Sequence, residues 1–199
     1  MDFAASELTA VNTMLQTIGE TPTTTLSGTL PYEVDAALEI LTETTKDVLS
    51  QGWDFNTEYD VVLTPDGSTK RIVLGTNIAR VDLEDENKGS FDLIMKYVST
   101  EWRLYDRVAQ TYEFDSTIKA TIVYFYDFVG IPHPAQHYIT ARAARIYSDR
   151  FVGSRAIHEV AITNENVARA RLMDFQGSKV SANMLEDSAS VSNFLKRTI

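Results

Sequence analysis

The chain of 199 residues contains no cysteine, which removes disulfides, thiolate metal sites and cysteine nucleophiles together. Histidine is scarce, with three in the whole sequence, so little imidazole is on hand for acid–base work or metal ligation. The nine glycines are scattered as helix stops and turn residues, and none gathers into a phosphate-cradling loop. A Gly-x-Ser-x-Gly nucleophile elbow is also missing. No apolar run approaches the roughly 18 residues that a membrane helix needs, and the start, with Asp2, lacks the basic segment of a signal peptide. Basic residues are outnumbered: 18 Lys+Arg against 28 Asp+Glu give a formal net charge of -10, which argues against a protein that grips nucleic acid through its phosphates.

What is present is an ordinary globular composition, 44% hydrophobic, 10% aromatic and 23% charged. That excludes global disorder and allows one domain with a large insertion or two small ones. Freedom from cysteine fits synthesis in a reducing host cytoplasm, virion proteins included. Charge is unevenly spread. Residues 1–53 carry eight acids and one base, Lys46, whereas residues 133–199 carry six acids and nine bases. An acidic start and a basic finish suggest that the two parts pair, within one chain or between neighbouring copies, unless the bases merely decorate a solvated helix face.

Periodicity sets the organisation. Ser6 is placed to cap a first helix whose apolar stripe is Leu8, Val11, Met14, Leu15 and Ile18, ended by Gly19. Pro31 suits the start of a second, with Val34, Leu38, Leu41, Val48 and Leu49 on one face. The two are expected to lie antiparallel. From Glu58 to Phe128 the period drops from 3.6 to 2, with turn chemistry at Thr64-Pro-Asp-Gly67 and a longest strand from Ile118 to Phe128 that is apolar on both faces at its centre. Helical spacing returns with Tyr138, Ile139, Ile146, Tyr147 and Phe151, closed by Gly153. A last helix capped by Ser154 places Ile157, Val160, Val167, Ala168, Leu172 and Phe175 toward the core, with a kink expected at residues 163–166 and a stop at Gly177. The fold class expected is α+β: a bundle of about four helices (1–56 and 130–178) carrying an inserted antiparallel β-sheet or sandwich (57–129), followed by a Ser-rich C-terminal arm (179–199).

Catalytic chemistry finds little support. His133 and His137 have the i,i+4 spacing of a metal pair, but His133 precedes Pro134, which places it outside the helix, and no glutamate completes a hydrolytic zinc motif. The run from Asp82 to Gly89 is rich in carboxylates, yet its glycine and terminal acid sit at the wrong positions for a calcium loop. A charged hairpin tip is the simpler reading. The aromatics from Tyr97 to Phe128 follow strands that need a core. Glycan hydrolysis would need an acid and base carboxylate pair about 5–9 Å apart, and nothing in the spacing of the acids selects one. No cofactor is expected.

Four stretches, taken in order, carry a resemblance: Ser6–Asn12 with Ile18–Pro22, Gln51–Asn56, Tyr105–Gln110 with Phe114–Ser116, and Asp149–Gly153; a fifth, Asn183–Asp187, falls in the arm. Together they resemble the tail tubular protein A family, the adaptor or gatekeeper ring of T7-like short-tailed bacteriophages. The resemblance implies a non-enzymatic virion protein at the head–tail junction. It would be a homo-oligomer, a ring of twelve copies, placed between the portal protein and the tail nozzle protein (tail tubular protein B), with tail fibres attached near the lower junction and DNA passing through without specific binding. No membrane partner is implied. For such a ring the expected subunit contact sets Glu33, Glu39, Glu43 and Asp47 against Arg142, Arg145, Arg150, Arg155, Arg169 and Arg171. The arm is expected to dock on the portal through Met184, Leu185, Phe194, Leu195, Lys196 and Arg197. Two other classes stay open: a head-completion connector of long-tailed phages, and a virion-associated glycan-degrading protein acting on polysaccharide or peptidoglycan.

Overall fold

A computed structural model describes residues 6–83 and 91–187. Two compact units result. One joins the residues up to Thr45 with those from Phe128 onward; the other is the continuous stretch Lys46–Asp127. The class is α+β, with four helices and two three-stranded antiparallel sheets.

The helical unit contains α1 (Glu7–Thr17), most of α2 (Tyr32–Leu49), α3 (His133–Phe151) and α4 (Arg155–Asp187). Ser6 caps α1 by accepting from the Thr9 amide at 3.1 Å, and Ala10, Val11, Met14 and Leu15 form its buried stripe. The first two helices are not the principal pair that their order suggests: α1 packs chiefly on α3. Asn12 gives the physical reason. Its amide and the Thr23 backbone exchange two hydrogen bonds, at 2.9 and 2.8 Å, so the polar connection is tied back along α1 instead of turning tightly into α2.

His133 is the first residue of α3, inside the helix and not ahead of it, with Pro134 tolerated in the first turn, where no intrahelical donor is lost. Tyr138, Ile139 and Tyr147 of α3 are fully buried, each such side chain stabilising the fold by about 1.5–3 kcal/mol. The buried amide of Gln136 donates to the Phe128 carbonyl at 2.9 Å and so fixes the 3-10 turn Phe128–Gly130 ahead of α3.

The Tyr147 hydroxyl donates to the Glu33 carbonyl on α2 at 3.0 Å. Burial, then the neighbouring carboxylates Glu33 and Glu20, push its pKa up from 10.0 to about 12. The unfolded chain therefore releases this proton at a lower pH than the folded one, and stability falls as pH rises between those two values. Denaturation midpoints measured across that window should drop in the parent protein and drop less in Tyr147→Phe; parallel curves would remove Tyr147 as the cause.

α4 departs from expectation in two ways. It runs without a break through residues 163–166 and through Gly177 to Asp187. Its buried stripe is Ala161, Glu165, Ala168 and Leu172, whereas Val160 and Val167, expected in the core, are 63% and 46% exposed. A shift of one residue turns a helix face by about 100°; the core side of α4 lies one residue further along than its branched apolar residues suggest.

The second unit begins in the last turn of α2 and holds six strands: β1 (Thr57–Leu63), β2 (Val73–Leu74), β3 (Ile78–Leu83), β4 (Leu93–Val98), β5 (Glu101–Asp106) and β6 (Ile118–Tyr124). Their order is β1-β6-β3 in one sheet and β2-β5-β4 in the other. Ile72, just ahead of β2, and Leu74 and Leu104 from the second sheet meet Val81, Ile118, Ala120 and Ile122 from the first in one core. β6 is central and buried on both faces, with Ile122 and Val123 each at most 1% exposed, as its run of apolar residues predicts. It ends at Tyr124, short of the expected Phe128. β5 ends at Asp106, whose buried carboxylate accepts from the amides of Asp92, Val108 and Ala109 and turns the chain.

Asn56 closes this unit. It is fully buried; its amide donates to the carbonyls of Leu49 at 2.9 Å and Tyr124 at 2.7 Å, and its oxygen accepts from the Trp53 amide at 2.8 Å. Gly52, at φ +77°, makes the bend before it, where a Cβ would come within 3.2 Å of the Val123 side chain.

Candidate functional site

The charged residues singled out in the sequence lie mainly on the helical unit, and most of the arginines are already engaged there. Arg145 is paired through Nε with Glu165 across the α3–α4 seam and through Nη1 with Asp149 at 3.2 Å. Asp149 also lies 2.9 Å from His158 Nδ1. Arg142 reaches the Tyr138 hydroxyl at 3.2 Å and Glu165 at 4.0 Å. Arg150 pairs with Glu43 at 3.5 Å, joining α3 to α2 within one chain, and Arg155 pairs with Glu159 one turn along α4. Arg169 and Arg171 are exposed and make no ion pair among the described residues. Of the acids, Glu33 and Glu39 have no ion-pair partner among the described residues, and Asp47 falls in the second unit. Within the chain, Arg142 and Arg145 engage the α3–α4 seam, Arg150 reaches α2 and Arg155 pairs along α4, while Arg169 and Arg171 face outward.

An open groove of about 880 Å³ lies between α1, α3 and α4. Its floor and walls are small or branched: Ala10, Ala141, Ala144, Ile157, Val160 and Val167. One end is cationic. Arg171 stands level with His137, one turn along α3 from His133. Burial, then Arg171 and His133, lower the His137 pKa, which keeps that imidazole neutral to a lower pH than usual. Sequence reasoning passed over this groove, since Val160 and Val167 read as core residues. The signal that finds it is the second stripe on α4, residues 157, 160, 164, 167 and 171, offset by one from the buried stripe.

On the opposite side in composition is the surface made by the start of α2 and the end of α3. Tyr32 is 73% exposed and its ring lies 5.9 Å from that of Phe151, which packs in turn on Tyr147 at 4.4 Å. Beside this pair lies a shallow depression of about 450 Å³ lined by Glu39, Glu43 and Arg150, the last two paired with each other; the exposed Asp35 lies one turn along α2 from Tyr32.

Among the described residues no three His, Asp or Glu side chains gather as a metal cluster, and the exposed His133 and His137 have no third ligand. Among the described residues the carboxylates Asp66 and Asp115 are shifted, and both are shifted down, opposite to the direction a general acid requires. Asp66 is held low by amide and hydroxyl donors from Ser68 and Thr69 in its own turn, Asp115 by Lys70. Of the carboxylate run at Asp82–Gly89, residues 84–89 lie outside the described residues, as do Phe194, Leu195, Lys196 and Arg197; Met184 and Leu185 fall on the last turns of α4. Among the described residues no helix is long and apolar enough to cross a membrane.

An exposed apolar stripe of this kind on a helix marks a surface that works by contact. The family model for tail tubular protein matches residues 8–180 of this chain, and the chain belongs to that family of structural components of phage tails. No match is found among curated proteins.

Proposed function

We propose that this chain is the adaptor subunit at the head–tail junction. Copies of it form a closed ring, of twelve by the family resemblance, that links the portal to the tail nozzle protein, gives tail fibres a platform and encloses part of the conduit for DNA ejection. The observation that carries this reading is the unpartnered apolar stripe of α4 along the groove, with Val160 and Val167 63% and 46% exposed, in a chain of a tail-building family. A ring needs one patch on each copy to meet a different patch on the next, and the helical unit carries two surfaces of opposite character. Exposed ion pairs contribute only about 0–1 kcal/mol each, so apolar and aromatic anchors supply the affinity and charge sets the register. The net charge of -10 suits a conduit: carboxylates on a channel wall repel phosphates over about 8–10 Å and avoid the counterion release that makes basic proteins cling to DNA.

Portal docking is assigned to the C-terminal segment with Met184, Leu185, Phe194, Leu195, Lys196 and Arg197, whose apolar and basic residues suit a pocket between acidic portal subunits. Mass measurement with negative-stain imaging, on the protein alone and mixed with portal and nozzle proteins, tests the whole reading. The expected result is a ring that binds both neighbours, and loss of portal binding alone when residues 183–199 are removed. A protein that stays monomeric at high concentration and binds neither neighbour overturns the reading.

A further inference from the structure

The ring reading leaves open which surfaces meet, and the geometry points to one pairing. We propose that the groove between α1, α3 and α4 receives the Tyr32–Phe151 aromatic pair of a second copy of this chain, with Asp35 and Glu39 of that copy set against Arg171 and the His133–His137 end of the groove. The proposal rests on the adaptor-ring reading and deepens it.

Three features of the helical unit support this occupant. The first is chemical complementarity. The groove is apolar for most of its length and carries Arg171 at one end; the aromatic pair is apolar and has the unpaired Glu39 beside it, Glu43 being engaged by Arg150 of its own chain. Charge arranged this way favours one register and rejects the reverse. The second is the absence of competing internal partners. Arg171, Asp35 and Glu39 are all exposed and carry no ion pair among the described residues, unlike the four arginines engaged within the chain. The third is length. Tyr32 to Glu39 covers two helical turns, about 10 Å at 1.5 Å per residue, and Asn164 to Arg171 on the groove wall covers the same rise. Tyr32 can therefore sit over the small residues near Asn164 while Glu39 stands at Arg171. Exposed aromatics in apolar depressions are the usual anchors of protein contacts.

The groove and the aromatic pair share no residue, so the contact is heterologous. Each copy offers both halves, and the arrangement closes into a ring or continues as a filament according to its rotation.

Charge reversal tests this with the full chain. Arg171→Glu spoils the groove but leaves the aromatic surface intact; Glu39→Arg does the opposite. Each variant alone should need at least tenfold higher concentration than the parent to reach half-assembly in sedimentation velocity, with circular dichroism unchanged, since both residues are exposed. Mixed in equal amounts, the two should assemble again, because every junction then pairs parent with parent or reversed with reversed. The same recovery is expected when both changes are placed in one chain. Tyr32→Ala should weaken assembly at least tenfold without rescue by either. If both charge variants assemble as the parent does, or if mixing restores nothing, the pairing is wrong while the ring reading stands. If the groove variant loses binding to portal or nozzle but still forms rings, the occupant is that partner and the proposal falls. A parent chain that never assembles removes both readings.

Discussion

Asn56→Ala should destabilise the β unit by about 3 kcal/mol or more, a large fraction of the stability of a small domain whose total is on the order of 5–15 kcal/mol. The side chain is fully buried and satisfies three backbone groups at once, the Trp53 amide and the carbonyls of Leu49 and Tyr124. Truncation strands all three away from water, and each buried unsatisfied group costs about 1–3 kcal/mol. One of the bonds spans 68 residues and ties the entry of the unit to the end of β6. Trp53 reports the change directly, because its indole donates to the Val48 carbonyl at 2.8 Å beside the same hub. Denaturant unfolding followed by tryptophan fluorescence is the measurement. Asn56→Asp is a sharper version. A carboxylate oxygen facing two carbonyls is disfavoured as an anion, so its pKa in the folded state is raised and part of the lost stability should return on acidification. A loss below about 1 kcal/mol in Asn56→Ala would show that the hub is not what closes the unit.

Glu165→Ala is expected to cost about 2–4 kcal/mol in the helical unit, below the 3–5 kcal/mol of a fully buried pair because water reaches part of the site. Glu165 is 9% exposed and is paired with Arg145 Nε, with Arg142 4.0 Å away. Its removal leaves two guanidinium groups crowded at the α3–α4 seam, with Asp149 the remaining carboxylate on Arg145 at 3.2 Å. Replacing Glu165 with leucine and Arg145 with methionine together should recover much of the loss, since the penalty lies in the unpaired charge and not in the absence of the bridge. Thermal unfolding of the two single variants and the pair gives the coupling energy. Additive losses would remove the network from the account of how α3 and α4 are held.

The same network shows how far sign alone can be read. Six arginines in the second half of the chain read as one basic surface, yet four of them are engaged within their own chain. Arg145 and Glu165 are 20 residues apart, and only the antiparallel register of α3 and α4 makes them neighbours. The elements themselves were legible where periodicity is strong: the stripes of α1 to α3, and a β6 apolar on both faces. The end of α4 was not, for a specific reason. Gly153-Ser154 and Gly177-Ser178 are the same dipeptide; the first separates α3 from α4, with Gly153 at φ +62°, and the second lies inside α4. A glycine inside a helix costs only about 1 kcal/mol, a penalty a helix of 33 residues absorbs when nothing else in the fold calls for a turn. Asn56 left no trace either, because a lone asparagine after an aromatic pair has the same appearance whether it is a surface turn residue or the closing hub of a domain. The groove was hidden by a one-residue phase difference between two stripes of α4, and the Tyr32 surface by the tendency of exposed tyrosine to read as unremarkable polarity.

The division of the chain has a bearing on how the protein is made. The β unit is continuous, while the helical unit is drawn from both ends of the sequence. At about 5–20 residues per second, roughly 80 residues of β unit keep the ribosome occupied for several seconds or more. During that interval α1 and the start of α2 have emerged without α3, and Met14, Leu15 and Leu41 have nothing to cover them. The inserted unit can fold while translation continues; the helical body can complete itself only once α3 and α4 are synthesised. Whatever seats on the groove between α1, α3 and α4 has nothing to bind until the last third of the polypeptide has been released.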